Sequence, residues 1–208
     1  MISLTGIIIL LISYLIGAIP TSYIIVKSLK GIDIRSVGSK NVGATNAGRV
    51  LGKKWFFIIT LIDILKGALP VLITKIIYNI NINSSNGWFL LIVGIFTIIG
   101  HTYPVYLRFK GGKGVAVTAG IFFVIDYRLI IGGLIVFLLV VLITRYISAA
   151  SISASISLPI IELILYKNNP NYYLLGITIL ISIYVIYKHK SNIYRLIHHQ
   201  ERKWGERV

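Results

Sequence analysis

Seven stretches of the chain are apolar, and between them charge, glycine, proline and asparagine cluster in short segments. The candidate spans are 3–26, 55–78, 87–107, 114–127, 129–146, 149–166 and 172–187. None of the first 26 residues is Asp, Glu, Lys or Arg. Such a run is long enough for a hydrocarbon core that takes about 20 apolar residues to cross. No cation precedes it, unlike the basic start of a secretory signal peptide. The pattern predicts an all-α integral membrane protein with seven transmembrane helices, organised as a single membrane-embedded domain over residues 1–208. The stretch 114–127 is the short one: at ~1.5 Å per residue it does not reach across a core of about 30 Å. It is expected to be a short, locally shielded helix.

Composition agrees. The chain is 56% hydrophobic, with a mean hydropathy of +0.86 and 13% charged residues, against roughly 25% charged in soluble proteins. An isolated soluble domain, a disordered region and a collagen-like chain are excluded. The net charge of +15 comes from 21 Lys and Arg against 6 Asp and Glu. In a soluble protein that excess points to nucleic acid. Here the cations lie in short loops between spans, so no nucleic-acid partner is expected, and the charge reads as a topology signal and an attraction for anionic membrane lipids. With seven crossings, 27–54, 108–113, 145–148 and 188–208 share one side and hold 17 of the 21 cations. The positive-inside rule makes that side cytoplasmic, with the N-terminus outside and the C-terminus cytoplasmic. Tyr78, Trp88, Tyr146, Tyr166, Tyr172 and Tyr187 near span ends suit an aromatic belt. The absence of cysteine removes disulfides, thiolate metal sites and cysteine nucleophiles.

Asp63 and Lys66 fall inside the second span, three residues apart on one helix face. Intramembrane charge is costly and pairs or lines a polar cavity; the pair reads as a structural lock, with indirect support of a site as the alternative. Asp126 and Glu162, near the outer ends of spans, are expected to be solvated at the interface.

Three cytoplasmic segments carry an unusual mixture of small and polar residues. The first is Gly38-Ser39-Lys40-Asn41-Val42-Gly43-Ala44-Thr45-Asn46-Ala47-Gly48-Arg49. Small residues admit close backbone approach to an anion, the neutral polar side chains add hydrogen bonds, and Arg49 can fork two bonds onto a phosphate. The second, Gly100 to Gly114, ends in Gly111-Gly112-Lys113-Gly114 before a helix, which offers backbone N–H groups and a lysine to a phosphate. It is not a Walker loop, because Lys113 is followed by Gly114 rather than Ser or Thr. The third, Arg145 to Ser151, opens a helix with hydroxyls, and Ser148 there is either an N-cap or a ligand-facing group. A basic tail from Lys188 onward contains His189, Asn192 and Glu201 and reads otherwise as a solvated interfacial segment.

Gly-Ser-x-Asn-x-Gly-Ala-Thr-Asn at 38–46 combined with Phe-Lys-Gly-Gly-Lys-Gly-Val-Ala at 109–116 is highly specific. With Asp63–Gly67, Arg145–Ser151 and His189–Glu201, it resembles the bacterial acyl-phosphate-dependent glycerol-3-phosphate acyltransferases over nearly the whole chain. Two departures stand out: Lys40 and His199 occupy positions where that family usually has glycine. The resemblance implies transfer of a fatty acyl group from acyl phosphate to glycerol 3-phosphate, giving 1-acylglycerol 3-phosphate and phosphate, the first acylation step of phospholipid synthesis. Matched position by position, Ser39, Arg49, Lys113, His189 and Asn192 become the catalytic residues. Asn41, Gly43, Thr45, Asn46, Gly111, Gly112, Gly114, Ser148, Ser151 and Glu201 become the substrate- and phosphate-binding set. The general base is His189 or a phosphate oxygen of the substrate. No cofactor and no metal are implied. The expected partners are the two substrates, membrane lipids and the soluble enzyme that makes acyl phosphate, at the cytoplasmic face of the bacterial inner membrane. Two rivals are weighed: a transporter for a phosphorylated solute gated by Arg49 and Lys113, and a non-catalytic scaffold with a basic face. The first wants polar residues threaded through the spans; the second does not account for the small-residue loops.

Overall fold

The structure is a computed structural model describing residues 3–206. The described residues are helical with no strand, and they form two compact units, residues 3–125 and 126–206.

The first unit contains α1 (Leu4–Ala18), α2 (Thr21–Lys30), α3 (Ala44–Leu51), α4 (Lys53–Ile77), α5 (Trp88–Thr102) and α6 (Val115–Ile125). The predicted span 3–26 is corrected here to two helices. Pro20 has no N–H to donate and restricts the residue before it, so α1 stops at Ala18 and α2 restarts at Thr21. In this unit α1 packs along α5, and α4 along α6. Glycine permits the second contact: a Cβ on Gly67 would stand 2.2 Å from the Val117 carbonyl oxygen, and one on Gly120 1.9 Å from that of Ile64. The segment 31–52, read as a loop, contains the eight-residue α3.

The second unit contains α7 (Tyr127–Thr144), α8 (Ile147–Leu165), α9 (Tyr172–Lys188) and α10 (Lys190–Ile197), with α8 packed on both α7 and α9. The tail read as a solvated segment is corrected to the helix α10, bent by 60° from α9. The expectation of interfacial solvation is also corrected. Asp126 is 6% exposed and Glu162 2%. Asp126 caps α7 through the Arg128 N–H at 3.0 Å and accepts the Arg128 guanidinium at 3.0 and 2.9 Å. Glu162 accepts from the Thr178 hydroxyl at 2.9 Å, and Ser182 donates to the Ser155 carbonyl, so polar groups within α8 and α9 bind the two helices to each other.

Among the described residues, five stretches are long and apolar enough to cross a bilayer: Leu4–Lys30, Lys53–Ile77, Trp88–Leu107, Tyr127–Thr144 and Ile147–Leu165. The bent pair α9 and α10 makes a sixth if counted as one span. Helix α6 has 11 residues, about 16 Å at the α-helical rise, short of a hydrocarbon core. Large aliphatic side chains face outward along these helices, Leu142 and Ile143 at 77% and 81% exposure among them. In water such a face is a liability; in lipid it is the expected surface.

Candidate functional site

In the first unit, the segment from 31 to 52 is shaped by backbone hydrogen bonds. Gly31 closes α2 in the left-handed conformation at φ +70°, its N–H reaching the Lys27 carbonyl at 2.9 Å. Asp33 then caps the 3-10 turn Ile34–Ser36 and takes both arms of Arg35. The hydrogen bonds from Arg35, side chain first and backbone second, hold the Asp33 carboxyl below its ordinary value. Val26, Ile34, Val42, Ala47, Ile59 and Leu107 form the apolar cluster beneath the segment.

Asn46 is the hub of this loop. It is 1% exposed, its Oδ1 accepts from the Ser39 N–H at 3.0 Å, and its Nδ2 donates to the carbonyls of Ile34, Val37 and Asn41 at 3.1–3.2 Å. This corrects its expected role: Asn46 builds the loop rather than presenting its amide to a phosphate. Ser39, Asn41, Thr45 and Arg49 are half-buried. Gly43 caps helix α3 with no side-chain hydrogen bond; its carbonyl accepts from the Asn46 and Ala47 N–H groups at 3.1 Å, and those of Ala44 and Thr45 have no carbonyl of the helix to reach. Thr45 and Arg49, four apart, share one face of that helix. Lys40 is in the left-handed region at φ +59°, a conformation that favours glycine.

The second glycine-rich loop differs from expectation. The Gly111 N–H donates to the Thr102 carbonyl at 3.3 Å, and that of Gly112 to the His101 carbonyl at 3.0 Å. These two N–H groups therefore close the end of α5 and are not held out for an anion. Glycine is required at 111 by contact with backbone, a Cβ there lying 2.2 Å from the His101 carbonyl oxygen, and a Cβ on Gly112 would press on the His101 ring, 2.1 Å from Nε2. Gly114 turns the chain at φ +87° into α6, and Lys113 beside it is half-buried. A small cleft in this unit runs between Gly111–Gly112 with His101 and the Ile19–Ser22 break, with Val42, Asp63 and Lys66 also on its wall. His101, Thr21 and Ser22 were not singled out from sequence; a histidine before a proline and two hydroxyls in an apolar span carry little signal.

In the second unit the polar residues gather around Glu201, which is 8% exposed. Its Oε1 accepts from Ser148 Oγ at 3.0 Å and Asn192 Nδ2 at 2.7 Å, and its Oε2 from Arg195 Nε at 2.6 Å. This corrects one expectation: Ser148 is not the N-cap of α8, a position held by Tyr146. Glu201 orders the donors around it. Ser151 donates to the Ile147 carbonyl at 2.8 Å, so both serine protons are engaged internally. His189, 3% exposed, binds the Val185 carbonyl through Nδ1 at 2.8 Å. A carbonyl only accepts, so Nδ1 carries a proton.

The tail reaches Glu201 through a left-handed helix end. His199 lies at φ +55°, its N–H on the Leu196 carbonyl at 3.2 Å, and the Gln200 N–H on that of Arg195 at 2.7 Å. This is a Schellman motif with histidine in the position that favours glycine. The Trp204 N–H then ties the tail to the Arg145 carbonyl at 2.7 Å. Among the described residues, no group of three or more His, Asp or Glu side chains is arranged to hold a metal ion.

Comparison with known proteins is consistent along the chain. A family model described as glycerol-3-phosphate acyltransferase matches residues 7–199. Proteins of that name are similar to this chain in Fusobacterium nucleatum (40% identical, 94% of this chain and 96% of the relative) and Staphylococcus haemolyticus (43%, 95% and 96%). A third, from Synechocystis, is 41% identical over 96% of this chain and 90% of its own. Among solved structures, PlsY (YgiH), an integral membrane glycerol 3-phosphate acyltransferase in its glycerol 3-phosphate form, superposes with a TM-score of 0.87 at 39% identity, covering 97% of this chain and 96% of that one. The lysophosphatidic acid form of the same enzyme gives 0.84 at 38% identity, with the same coverage.

Proposed function

Since the chain belongs to the glycerol-3-phosphate acyltransferase family, we propose that its acyl donor is acyl phosphate and its product 1-acylglycerol 3-phosphate. A mixed anhydride is already activated, so the protein has to hold two phosphate-bearing substrates and stabilise developing charge. The observation that carries the reading is the uncapped N-terminus of α3 at Gly43, with Thr45 and Arg49 on one face. Arg49 and Lys113 hold phosphate oxygens, Arg49 by a two-pronged contact, and Ser39 and Asn41 add neutral hydrogen bonds. Gly43 and Gly114 set the starts of α3 and α6.

The glycerol hydroxyl oxygen attacks the acyl carbon. The new C–O bond forms as the bond to the phosphate oxygen breaks, and inorganic phosphate leaves with the electron pair. The hydroxyl proton passes to His189 Nε2 or to a phosphate oxygen. Ser148 and Asn192 are set by Glu201, and Ser151 by its own helix. No metal or cofactor takes part in this scheme. The crystallised relative in its glycerol 3-phosphate and lysophosphatidic acid forms supports the acceptor and the product.

The same reading treats residues 1–208 as one acyltransferase domain, supported by a family match over 7–199. It spans the inner membrane seven times with α6 as a short crossing, the N-terminus outside and the site at the cytoplasmic face. A cysteine at Ser3 is then expected to label with an impermeant thiol reagent in intact cells, and one at Ser191 not; labelling of both, or the reverse pattern, ends the seven-span topology. The donor is tested with purified enzyme, labelled glycerol 3-phosphate and either acyl phosphate or an acyl thioester. The expected result is lyso-lipid formed with one phosphate released per turnover from acyl phosphate only; equal use of the thioester overturns the donor assignment.

A further inference from the structure

Lys66 and Asp63 are buried inside α4 at 6% and 3% exposure, with Lys66 Nζ 2.9 Å from Asp63 Oδ1. Lys66 Nζ also donates to the carbonyl of Ile19 at 2.9 Å. In an unbroken helix that carbonyl would accept from the N–H of residue 23. Pro20 interrupts the helix, and among the described residues the Ile19 carbonyl accepts one backbone N–H, that of Thr21 at 3.0 Å. Lys66 thus donates to a carbonyl that the break has released from its helical partner.

A lock between helices does not require this arrangement. Apolar side chains would hold α4 in place without the cost of bringing two charges into a membrane span. The location of the break suggests another purpose. On one side, α2 carries Val26 into the apolar cluster with Val42 and Ala47, under the loop bearing Thr45 and Arg49. On the other, the cleft at the break is walled by Gly111 and Gly112, next to Lys113. The Thr21 hydroxyl at this break is buried with no partner, and the cleft has room for about one water molecule.

We propose that Lys66, oriented by Asp63, is a positioning residue for acyl transfer. It pins the α1–α2 break to α4 and so fixes the wall against which both phosphate-binding loops rest. This inference builds on the acyl-transfer reading above. Misplacement of reacting groups by about 1 Å costs on the order of a hundredfold in rate, while long Arg and Lys side chains still reach their substrates.

Two variants test it from different directions. Pro20→Ala restores an N–H and lets α1 run into α2, returning the Ile19 carbonyl to a helical hydrogen bond while both charges remain. The double variant Asp63→Asn/Lys66→Met removes both charges together, so neither is left stranded in the span. Turnover per folded molecule is measured in nanodiscs with both substrates varied, alongside melting temperature. In each variant kcat is expected to fall about ten- to a hundredfold, with both KM values within about threefold of wild type. Lys66→Arg, which keeps a donor for both partners, is expected to recover to within about fivefold of wild type. Wild-type kcat in Pro20→Ala overturns the proposal, as does a double variant whose deficit is wholly one of folded protein. If the double variant does not insert, Pro20→Ala decides alone. Failure of the wild type to use acyl phosphate would instead fault the acyl-transfer reading and leave the pin untouched.

Discussion

The polar loops of the first unit and the polar cluster of the second are built on opposite principles. Between residues 27 and 54 the only acid is Asp33, and the Arg35 guanidinium occupies it with three hydrogen bonds of 2.7–3.1 Å. From Gly100 to Gly114 there is no acid at all. These loops are shaped by glycine and by the buried Asn46, and they carry half-buried cations. In the second unit a single buried carboxylate, Glu201, collects Ser148, Asn192 and Arg195. The contrast separates two tasks. On the proposed reading, loops that take an anion carry few acids of their own, whereas the donors of the second unit are held in place by one.

The largest effect that can break this comparison is expected at Glu201. Glu201→Ala leaves three donors facing a vacated buried position, a loss of about 3–5 kcal/mol by analogy with broken buried pairs. Its melting temperature and its turnover are both expected to collapse, and Glu201→Gln, which keeps one acceptor oxygen, to fall between. Retained melting temperature with lost activity would make Glu201 a direct participant instead.

Next comes Gly112→Ala, whose Cβ would meet His101 Nε2 at 2.1 Å. Overpacking of this kind costs about 1–3 kcal/mol. It is expected to lower turnover roughly tenfold by displacing Lys113, with insertion intact. Smaller and of opposite sign are Lys40→Gly and His199→Gly, each relieving a left-handed residue at φ +59° and +55°. After the extra chain entropy of glycine, a gain of about 0.5–1 kcal/mol each is expected in denaturation experiments. Smallest of all, excess chelator is expected to leave turnover unchanged; a loss that magnesium restores would reveal a metal contribution.

Much of the fold was legible because membrane spans are written in hydropathy, and the apolar runs mark the helices to within a few residues. What hydropathy could not register was interruption. The Ile19–Pro20 break lies inside a charge-free run, and Pro20 was the only sign of it. Helix α10 was missed because its apolar residues alternate with Lys190 and Arg195 over only eight positions. For the site, glycine and asparagine marked the loops but not their hydrogen bonding. Asn46, Gly111 and Gly112 have the composition of ligand groups, yet their donors are engaged by backbone carbonyls. Glu201 was grouped with the substrate- and phosphate-binding set by its place in the motif, and its hydrogen bonds to Ser148, Asn192 and Arg195 join residues too far apart in the chain to be read from it. The two non-glycine departures became intelligible only when their backbone angles were known.

The central claim, that the first unit's cations grip phosphate rather than merely orient the chain in the membrane, is tested most directly by steady-state turnover of Arg49→Ala, Arg49→Lys and Lys113→Ala in membranes, normalised to inserted protein, with Lys30→Ala and Lys54→Ala as exposed controls. Loss of a charge-assisted contact costs about 1.5–3 kcal/mol, or about ten- to a hundredfold. The expected result is that loss in both alanine variants, nearly as much in Arg49→Lys because lysine lacks the planar fork, and near-wild-type turnover in the controls. Equal turnover across all five variants would contradict the assignment and leave these cations as topology signals alone.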